Sequence, residues 1–380
     1  MIILMLDGLG IQYLASTELP TFDRLRREGI YRRVQAMMPT VTNTNNASIA
    51  TGFYADCHGI TGNSHLDASG REAYMETGDL LLAPTLFERM ARLGVRSALL
   101  SAKKKTIGLL ARGTEIAMSP QLATPEWIDR LGPPPDVYSR EVNAWLMDAT
   151  LWVLENRRDV ALLYVHTTDY PMHAWPPSAP ESKAHLQMLD DYLAKLISVA
   201  PDAAILVTAD HDVNHKSRVW DLEKAASNRG TPIRLAISAE KDKYPKHHRG
   251  FGGVSYVYLR APGDRADVER TLRGLEGVKD VSTREEAADR FHLMPERIGD
   301  LVVLGDETTV FGVLDRDERE TLPPTYRTHG SEFERDIPLF VYRAVGAPPA
   351  DHFRENKDLA TWLLPADRFD DLAVASGGGK

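Results

Sequence analysis

Residues 160–173 read Val-Ala-Leu-Leu-Tyr-Val-His-Thr-Thr-Asp-Tyr-Pro-Met-His, an apolar run that ends in a polar cluster. Short apolar runs followed by helical patterns are typical of buried parallel strands in α/β proteins. Three further runs of this form occupy residues 2–6, 97–100 and 203–207. The sequence therefore predicts an α/β fold with a central sheet flanked by helices.

The polar residues after these four runs are predicted to meet in space. The clusters begin at Asp7, Ser101, His166 and Thr208. Open α/β sheets bind ligands outside the carboxyl ends of their strands. We therefore expect the four clusters to line one crevice.

Composition limits the class of protein. The chain has 380 residues, 43% hydrophobic and 26% charged, with no apolar run near the roughly 20 residues that a membrane helix needs. The apolar start at residues 1–6 is too short for a signal-peptide core and has no basic leader, so we expect a cytoplasmic protein. A formal charge of -9 disfavours nucleic-acid binding. A small anionic substrate is compatible with this charge, because a few local cations or metals could bind it. A homodimer is possible.

The pattern between residues 250 and 320 differs from the rest of the chain. It predicts a strand at 255–260, a helix at 267–275 and a hairpin from 300–304 and 308–313. We interpret residues 250–320 as a small inserted α+β cap, with a polar hinge at 241–253. Residues 1–249 and 321–375 would form the metal-binding core, and residues 376–380 a disordered tail.

Metal-ligating side chains follow the predicted strands at six positions: Asp7, Asp169, His173, Asp210, His211 and His329. The only cysteine is Cys57, so thiolate clusters are excluded. Imidazole with carboxylate suits zinc, with manganese or iron as alternatives. Asp169 and His173 are four residues apart and would share one side of a helical turn. Asp210 and His211 are adjacent, so both can point at one site only from an irregular loop.

Five of the remaining histidines lack a carboxylate at useful spacing, and we expect a surface position for them: His58, His65, His185, His292 and His352. His247 and His248 fall in the polar hinge and are expected to be solvated. His215 follows His211 by four residues, so a role at the site stays open.

Two segments contain groups that could bind an anion. Residues 39–52 place hydroxyls and amides ahead of a helical pattern, and a helix start can bind a phosphoryl oxygen. A helix cap followed by a polar loop is the simpler alternative. Lys103, Lys104 and Lys105 follow another strand, where alternation in an extended segment would point Lys103 and Lys105 the same way.

These segments resemble motifs of the alkaline phosphatase superfamily, in its nucleotide pyrophosphatase/phosphodiesterase-like branch. The matching stretches are residues 6–8, 39–45, 168–173, 209–211 and 328–330, in the family's order. Within the branch, Thr-Asn-Thr-Asn-Asn-Ala-Ser-Ile at 42–49 and His-Gly-Ile-Thr-Gly-Asn at 58–63 are similar to phosphonoacetate hydrolases. Those enzymes cleave a carbon–phosphorus bond to give acetate and phosphate.

The resemblance implies an alkaline-phosphatase-like fold with two zinc ions and a threonine nucleophile, Thr42. One metal would be held by Asp169, His173 and His329, and the other by Asp7, Thr42, Asp210 and His211. Asn63 would bind the phosphoryl group, and Lys103 with Lys105 the substrate carboxylate.

The sequence departs from that family near the leaving group. Thr44 replaces a proline, and Lys104 replaces an acidic residue. The alternative function is a phosphodiesterase, nucleotide pyrophosphatase or phosphomonoesterase with the same two-metal threonine site. It would use an aromatic slot, for which Tyr170, Trp175 and Tyr74 are candidates.

Overall fold

The computed structural model describes residues 1–363, so the tail predicted at 376–380 lies outside the described part. Seven strands form the central sheet, in the spatial order Ile30–Gln35, Asp336–Tyr342, Ile205–Thr208, Ile2–Met5, Val160–His166, Arg96–Ser101 and Ile116–Met118. Asp336–Tyr342 runs antiparallel to both neighbours, and the other pairings are parallel. The predicted α/β fold is confirmed.

The central strands are apolar because helices cover them. No side chain of Ile2–Met5 is more than 1% exposed, and full burial of a large aliphatic side chain is worth about 1.5–3 kcal/mol. The surrounding helices are Ile11–Ala15, Pro20–Glu28, Thr42–Thr51, Ala55–His58, Leu86–Arg92, Lys104–Leu110, Pro125–Leu131, Glu141–Asn156, Tyr170–Ala174 and Pro180–Val199.

The sheet register brings the polar clusters to one edge. Met5 lies beside His166 on one side and Thr208 on the other, and Ser101 lies beside His166. Because these pairings are parallel, the residues after each strand emerge together. The predicted convergence of the four clusters is confirmed.

A second, antiparallel sheet contains Leu235–Ser238, Val254–Tyr258, Leu301–Gly305 and Val278–Thr283, in that order. Helices Leu222–Asn228 and Arg265–Arg273 share one hydrophobic cluster with this sheet. Helix Arg284–Phe291 shares another with it, together with Met38 and Val41 of the loop before Thr42. This sheet begins before residue 250, and the division into core and cap stays a prediction.

The predicted hairpin at 300–304 and 308–313 is wrong. Leu301–Gly305 already pairs with a strand on each side. Thr309–Phe311 instead pairs in parallel with Arg218–Trp220, which also pairs with Arg319–Thr321. Two short pairings complete the strands: Asn214–His215 with Arg327–Thr328, and Ser64–Leu66 with Glu72–Tyr74. Within residues 1–363, no helix is long and apolar enough to cross a membrane.

Candidate metal centre

Thr42 is the first residue of the helix Thr42–Thr51, which is buried on every side despite its polar sequence. The side chain of Asn45 fixes the preceding loop. Its Oδ1 accepts from the Met37 amide at 2.7 Å, and its Nδ2 donates to the carbonyls of Met37, Pro39 and Val41 at 3.1–3.3 Å. These bonds hold the helix start, and therefore Thr42, in one position.

Three histidines are oriented in the same way. Each has its Nδ1 within hydrogen-bond distance of a backbone carbonyl: His173 with Arg327 at 2.8 Å, His211 with Asp212 at 3.0 Å, and His329 with Thr40 at 2.7 Å. A carbonyl can only accept, so Nδ1 carries a proton in each ring and Nε2 is the nitrogen that is left to ligate a metal. This arrangement is typical of metal-ligating histidines.

Three buried aspartates face these Nε2 atoms. Asp169 Oδ2 lies 2.8 Å from His173 Nε2 and 3.6 Å from His329 Nε2. Asp210 Oδ2 lies 3.2 Å from His211 Nε2, and Asp7 Oδ1 lies 3.6 Å from the same atom. The irregular loop that Asp210 and His211 require is present, since the strand ends at Thr208.

The ligand atoms form overlapping groups of three. Those of Asp169, His173 and His329 lie within 4.8 Å of one another, as do those of Asp7, Asp169 and His211. Asp210 Oδ2 joins these five residues through His211 Nε2 at 3.2 Å. The structure thus brings six sequence-predicted ligands into one cluster. Thr42 is tied to this cluster through Thr40, whose carbonyl contacts His329 and whose Oγ1 accepts from the Gly330 amide at 3.0 Å.

The cluster fits a divalent metal chemically. Five of its buried atoms make no hydrogen bond within residues 1–363: Asp7 Oδ1, Thr42 Oγ1, Asp210 Oδ2, His211 Nε2 and His329 Nε2. Buried polar atoms are rarely left unpaired, because desolvation without a partner is costly. Burial and the nearby His329 lower the pKa of His211 well below its ordinary value, so its ring is neutral and can ligate.

The pKa values of the aspartates are pushed apart. Burial and the charge of Asp7 raise the pKa of Asp210 well above its ordinary value. Burial alone would also raise the pKa of Asp169, but Lys103 and His173 lower it well below the usual range. A concentration of buried carboxylates of this kind needs positive charge nearby, which Lys103 and bound cations can supply.

His166 was not singled out as a ligand from the sequence. Its Nε2 lies 3.0 Å from Asp7 Oδ2 and its Nδ1 2.9 Å from Ser101 Oγ. Asp7, His166 and Asp210 form a further group with ligand atoms within 4.8 Å. The available signal was its position as the first polar residue after the apolar run at 160–165.

The lysine run divides as expected. Lys103 and Lys105 are 3% and 5% exposed, whereas Lys104 is exposed. The reason differs from the predicted alternation, because helix Lys104–Leu110 begins within the run. Lys103 Nζ lies 2.7 Å from Asp169 Oδ1 and 2.8 Å from Asp7 Oδ2.

Asn63 is buried beside the start of the Thr42 helix. Its Oδ1 accepts from the Asn43 amide at 3.2 Å, and its Nδ2 donates to the Glu240 carbonyl at 3.2 Å. An amide nitrogen has two hydrogens. The Glu240 carbonyl therefore accounts for one of the two hydrogens on Asn63 Nδ2.

The prediction that His247 and His248 are solvated is wrong. Both side chains are buried, on the short helix Pro245–His248 close to Tyr170–Ala174. His247 Nε2 is 3.1 Å from Thr168 Oγ1 and 3.5 Å from Asp169 Oδ1. A signal was present, since Glu240, Asp242, His247 and His248 fall within nine residues of sequence.

The surface prediction is also wrong for His58, His65 and His185, which are 0%, 8% and 1% exposed. A neutral imidazole can be buried when its nitrogens find hydrogen-bond partners inside the protein. His58 Nε2, for example, lies 2.9 Å from Ser48 Oγ. His292 and His352 are exposed as predicted. His215 is exposed on the strand Asn214–His215.

A cleft of about 300 Å³ opens beside this centre. Its lining includes His173, Lys246, His247, Arg249 and Arg327. Arg249 pairs with Glu320 at 2.8 Å and Arg327 is buried, whereas Lys246 is exposed beside the cleft.

A mostly parallel sheet with aspartates and histidines gathered at its carboxyl edge defines an alkaline-phosphatase-like, metal-dependent hydrolase. Residues 1–332 match the family described as type I phosphodiesterase / nucleotide pyrophosphatase, and the chain belongs to that family.

Two solved structures share this fold over nearly their whole length. Phosphonoacetate hydrolase from Sinorhizobium meliloti 1021, solved with phosphonoacetate, is 31% identical with a TM-score of 0.85, covering 94% of this chain and 93% of that one. Human ectonucleotide pyrophosphatase / phosphodiesterase 5 is 16% identical with a TM-score of 0.70, covering 95% and 93%. At 16% identity, the second likeness concerns the fold alone.

A curated relative is the bis(5'-adenosyl)-triphosphatase ENPP4 of Bos taurus, which is 23% identical over 314 residues. The match covers 79% of this chain and 63% of the relative. The chain thus spans less than two thirds of that protein's length.

Proposed function

We propose that this protein is a zinc-dependent hydrolase that cleaves the carbon–phosphorus bond of phosphonoacetate or a related carboxylated phosphonate. The observation that carries the proposal is a pair of buried lysines, Lys103 and Lys105, of which Lys103 contacts the candidate metal ligands Asp169 and Asp7. A substrate with both a phosphonate and a carboxylate requires such cations. The phosphonoacetate bound to the Sinorhizobium meliloti enzyme supports the same substrate class.

One zinc ion would be held by Asp169, His173 and His329, and the other by Asp7, Thr42, Asp210 and His211. The proximity of His166 to Asp7 makes it a further candidate at the second position. When bound, the cations supply Lewis-acid chemistry that favours the alkoxide of Thr42 and offsets charge on the phosphoryl oxygens.

Thr42 is the proposed nucleophile. Its Oγ1 forms a bond to phosphorus as the carbon–phosphorus bond breaks, and its proton passes to water. The electron pair of the broken bond moves to the methylene carbon and delocalises into the carboxylate as an enediolate. Protonation of that carbon by water gives acetate and leaves a phosphothreonine.

The second half-reaction releases phosphate. A water oxygen attacks the phosphothreonine, the Thr42 oxygen leaves and is reprotonated, and the enzyme is restored. Asn63 would donate its second N–H to a phosphoryl oxygen in both steps. Lys103 and Lys105 stabilise the charge that develops on the leaving carboxylate, where electrostatic stabilisation is most effective.

A phosphodiesterase activity is the second candidate, and an aromatic cluster favours it. Tyr138 lies 5.9 Å from Tyr170 and 6.4 Å from Tyr244 between ring centroids, and Tyr170 lies 6.4 Å from Trp175. These rings could contact a base or an aryl group. Tyr74, expected in the same slot, is 37% exposed and has Lys243 over its ring.

Phosphate release separates the two candidates. Zinc-loaded protein is incubated with phosphonoacetate, other phosphonates, p-nitrophenyl phosphate and a phosphodiester. We expect the highest kcat/KM for phosphonoacetate, with weak ester turnover. A preference for an ester would refute carbon–phosphorus cleavage and support the second candidate. We also propose a cytoplasmic location, as expected from the sequence.

A further inference from the structure

The ammonium group of Lys105 already has a partner within the protein. Lys105 Nζ lies 2.5 Å from Asp242 Oδ2, and the two side chains are 3% and 5% exposed. The pair is therefore desolvated as well as close. Asp242 was not among the residues predicted from sequence to belong to the site.

Asp242 is fixed from several directions. Its Oδ1 accepts from the Tyr244 amide at 2.6 Å and lies 3.3 Å from His248 Nε2. Burial opposes its ionisation, but Lys105 and His248 outweigh burial and hold the pKa of Asp242 well below its usual range. The carboxylate is therefore charged, and Lys105 is held in place by it.

This ion pair is connected to the metal centre. His248 Nε2 lies 3.0 Å from Glu240 Oε1, and Glu240 Oε2 lies 3.3 Å from His329 Nδ1. The chain of contacts runs from Lys105 through Asp242, His248 and Glu240 to a candidate metal ligand. Lys105 thus belongs to the wall of the site rather than to a distant surface.

A third metal site is the alternative interpretation of this cluster. The ligand atoms of Glu240, Asp242 and His248 lie within 4.8 Å of one another. The Gly250 amide, however, donates to His248 Nδ1 at 2.9 Å. The Nε2 atom of His248 then carries a proton that points at the two carboxylates, and against the effect of burial Glu240 and Asp242 raise the pKa of this ring to about 10. The lone pair that a metal would need at Nε2 is not available.

We propose that Asp242 is a specificity-determining residue, which sets the net charge that the site presents to the leaving group by neutralising Lys105. The proposal rests on the proposed function for the role of the two lysines. With Asp242 in place, the Lys105–Asp242 pair contributes no net charge. Lys105 can still donate a hydrogen bond to a substrate carboxylate, whereas Lys103 contacts Asp169 and Asp7, whose charges bound cations would offset.

Four proteins test the proposal: the wild type, Asp242→Asn, Lys105→Met and the double variant. Their Lys105–Asp242 positions carry net charges of zero, plus one, minus one and zero. The readout is the ratio of kcat/KM for a substrate whose leaving group carries a carboxylate to that for a substrate whose leaving group carries none. Two such pairs are used: phosphonoacetate against p-nitrophenyl phosphate, and 4-carboxyphenyl phosphate against phenyl phosphate.

We expect the ratio to follow the net charge. Asp242→Asn should raise it and Lys105→Met should lower it, each by about tenfold or more, because unit charges a few ångströms apart near a protein surface interact strongly. The double variant should return to near the wild-type ratio, since its net charge is the same. Glu72→Gln is the matched control, because Glu72 forms a partly exposed pair with Lys241 at 2.6 Å, and it should leave the ratio unchanged.

A merely structural role gives a different result. Asp242→Asn would then reduce turnover of substrates with and without a carboxylate in parallel, and the double variant would not restore the ratio. Either outcome overturns the proposal. Failure of the proposed function is distinguishable: no variant would release phosphate from phosphonoacetate, while the ester pair would still report on Asp242.

Discussion

His211 and His329 stack on each other with ring centroids 3.5 Å apart and ring planes inclined by 15°. Both rings contact backbone carbonyls through Nδ1, so Nδ1 carries a proton in each ring. Two protonated rings at this separation would repel each other strongly. The stack therefore favours at least one neutral imidazole, and it couples the ligands proposed for the two different metal ions.

Thr42→Ala should abolish turnover while the protein keeps its metal. The substitution removes the proposed nucleophile but none of the aspartates and histidines in the cluster. Phosphate release and metal content, measured on the same preparation, check this prediction. Thr42→Ser keeps a hydroxyl and should retain part of the activity. Near-normal turnover by Thr42→Ala would contradict the mechanism.

His329→Ala should lose one of the two proposed zinc ions. Without His329 the proposed site keeps only two protein ligands, Asp169 and His173. Zinc sites in proteins normally use three or four. Metal content after dialysis, measured by plasma mass spectrometry, checks the prediction. His352→Ala is the control, since His352 is exposed. Unchanged zinc content in His329→Ala would contradict the assignment.

Lys103→Met should reduce turnover of carboxylated phosphonates far more than turnover of a simple aryl phosphate. The substitution removes a buried cation next to Asp169 and Asp7. Values of kcat/KM for the two substrate types provide the measurement, with the exposed Lys104→Met as control. Equal losses on both substrates would mean that Lys103 acts mainly by stabilising the two aspartates.

Asn45→Ala should lower both stability and turnover, since Asn45 anchors the loop before Thr42. Leaving its buried backbone partners unpaired should cost about 2–4 kcal/mol of unfolding free energy. Chemical denaturation and kcat check the two effects. Asn156→Ala removes a similar bond, to the Trp152 carbonyl at 2.9 Å, from an exposed residue and should change little. A stable but inactive Asn45→Ala would indicate a direct role in catalysis.

His185 should make the protein less stable in mild acid. Burial lowers its pKa to about 4, and its ring nitrogens make no hydrogen bond within residues 1–363. The unfolded chain, with a pKa near 6.5, then binds more protons than the folded chain between pH 4 and 6.5. The unfolding free energy should therefore fall as the pH is lowered through this window, by about 3 kcal/mol from this residue at its lower end.

His185→Leu removes this contribution, so its unfolding free energy should depend less on pH between pH 4 and 6.5. Urea denaturation of both proteins across that range provides the test. His352→Leu changes an exposed histidine and should keep the wild-type slope. Parallel curves for wild type and His185→Leu would exclude His185 as the source.

The sequence by itself determined the α/β class and the six candidate carboxylate and imidazole ligands. It could do so because buried strands require continuous apolar runs, and residues that end parallel strands must emerge at one edge of the sheet. The spacing of Asp169 and His173 is likewise a local property of one helical turn. These inferences depend only on neighbouring residues in the chain.

Only the tertiary structure decided the surroundings of that centre. The contacts of Lys105 with Asp242 and of His166 with Asp7 join segments that are far apart in sequence. A polar stretch such as 241–253 has the composition of a solvated loop, and burial of His247 and His248 depends on which surfaces pack against it. Whether a charged side chain is free or neutralised is set by such long-range packing, which local sequence patterns do not encode.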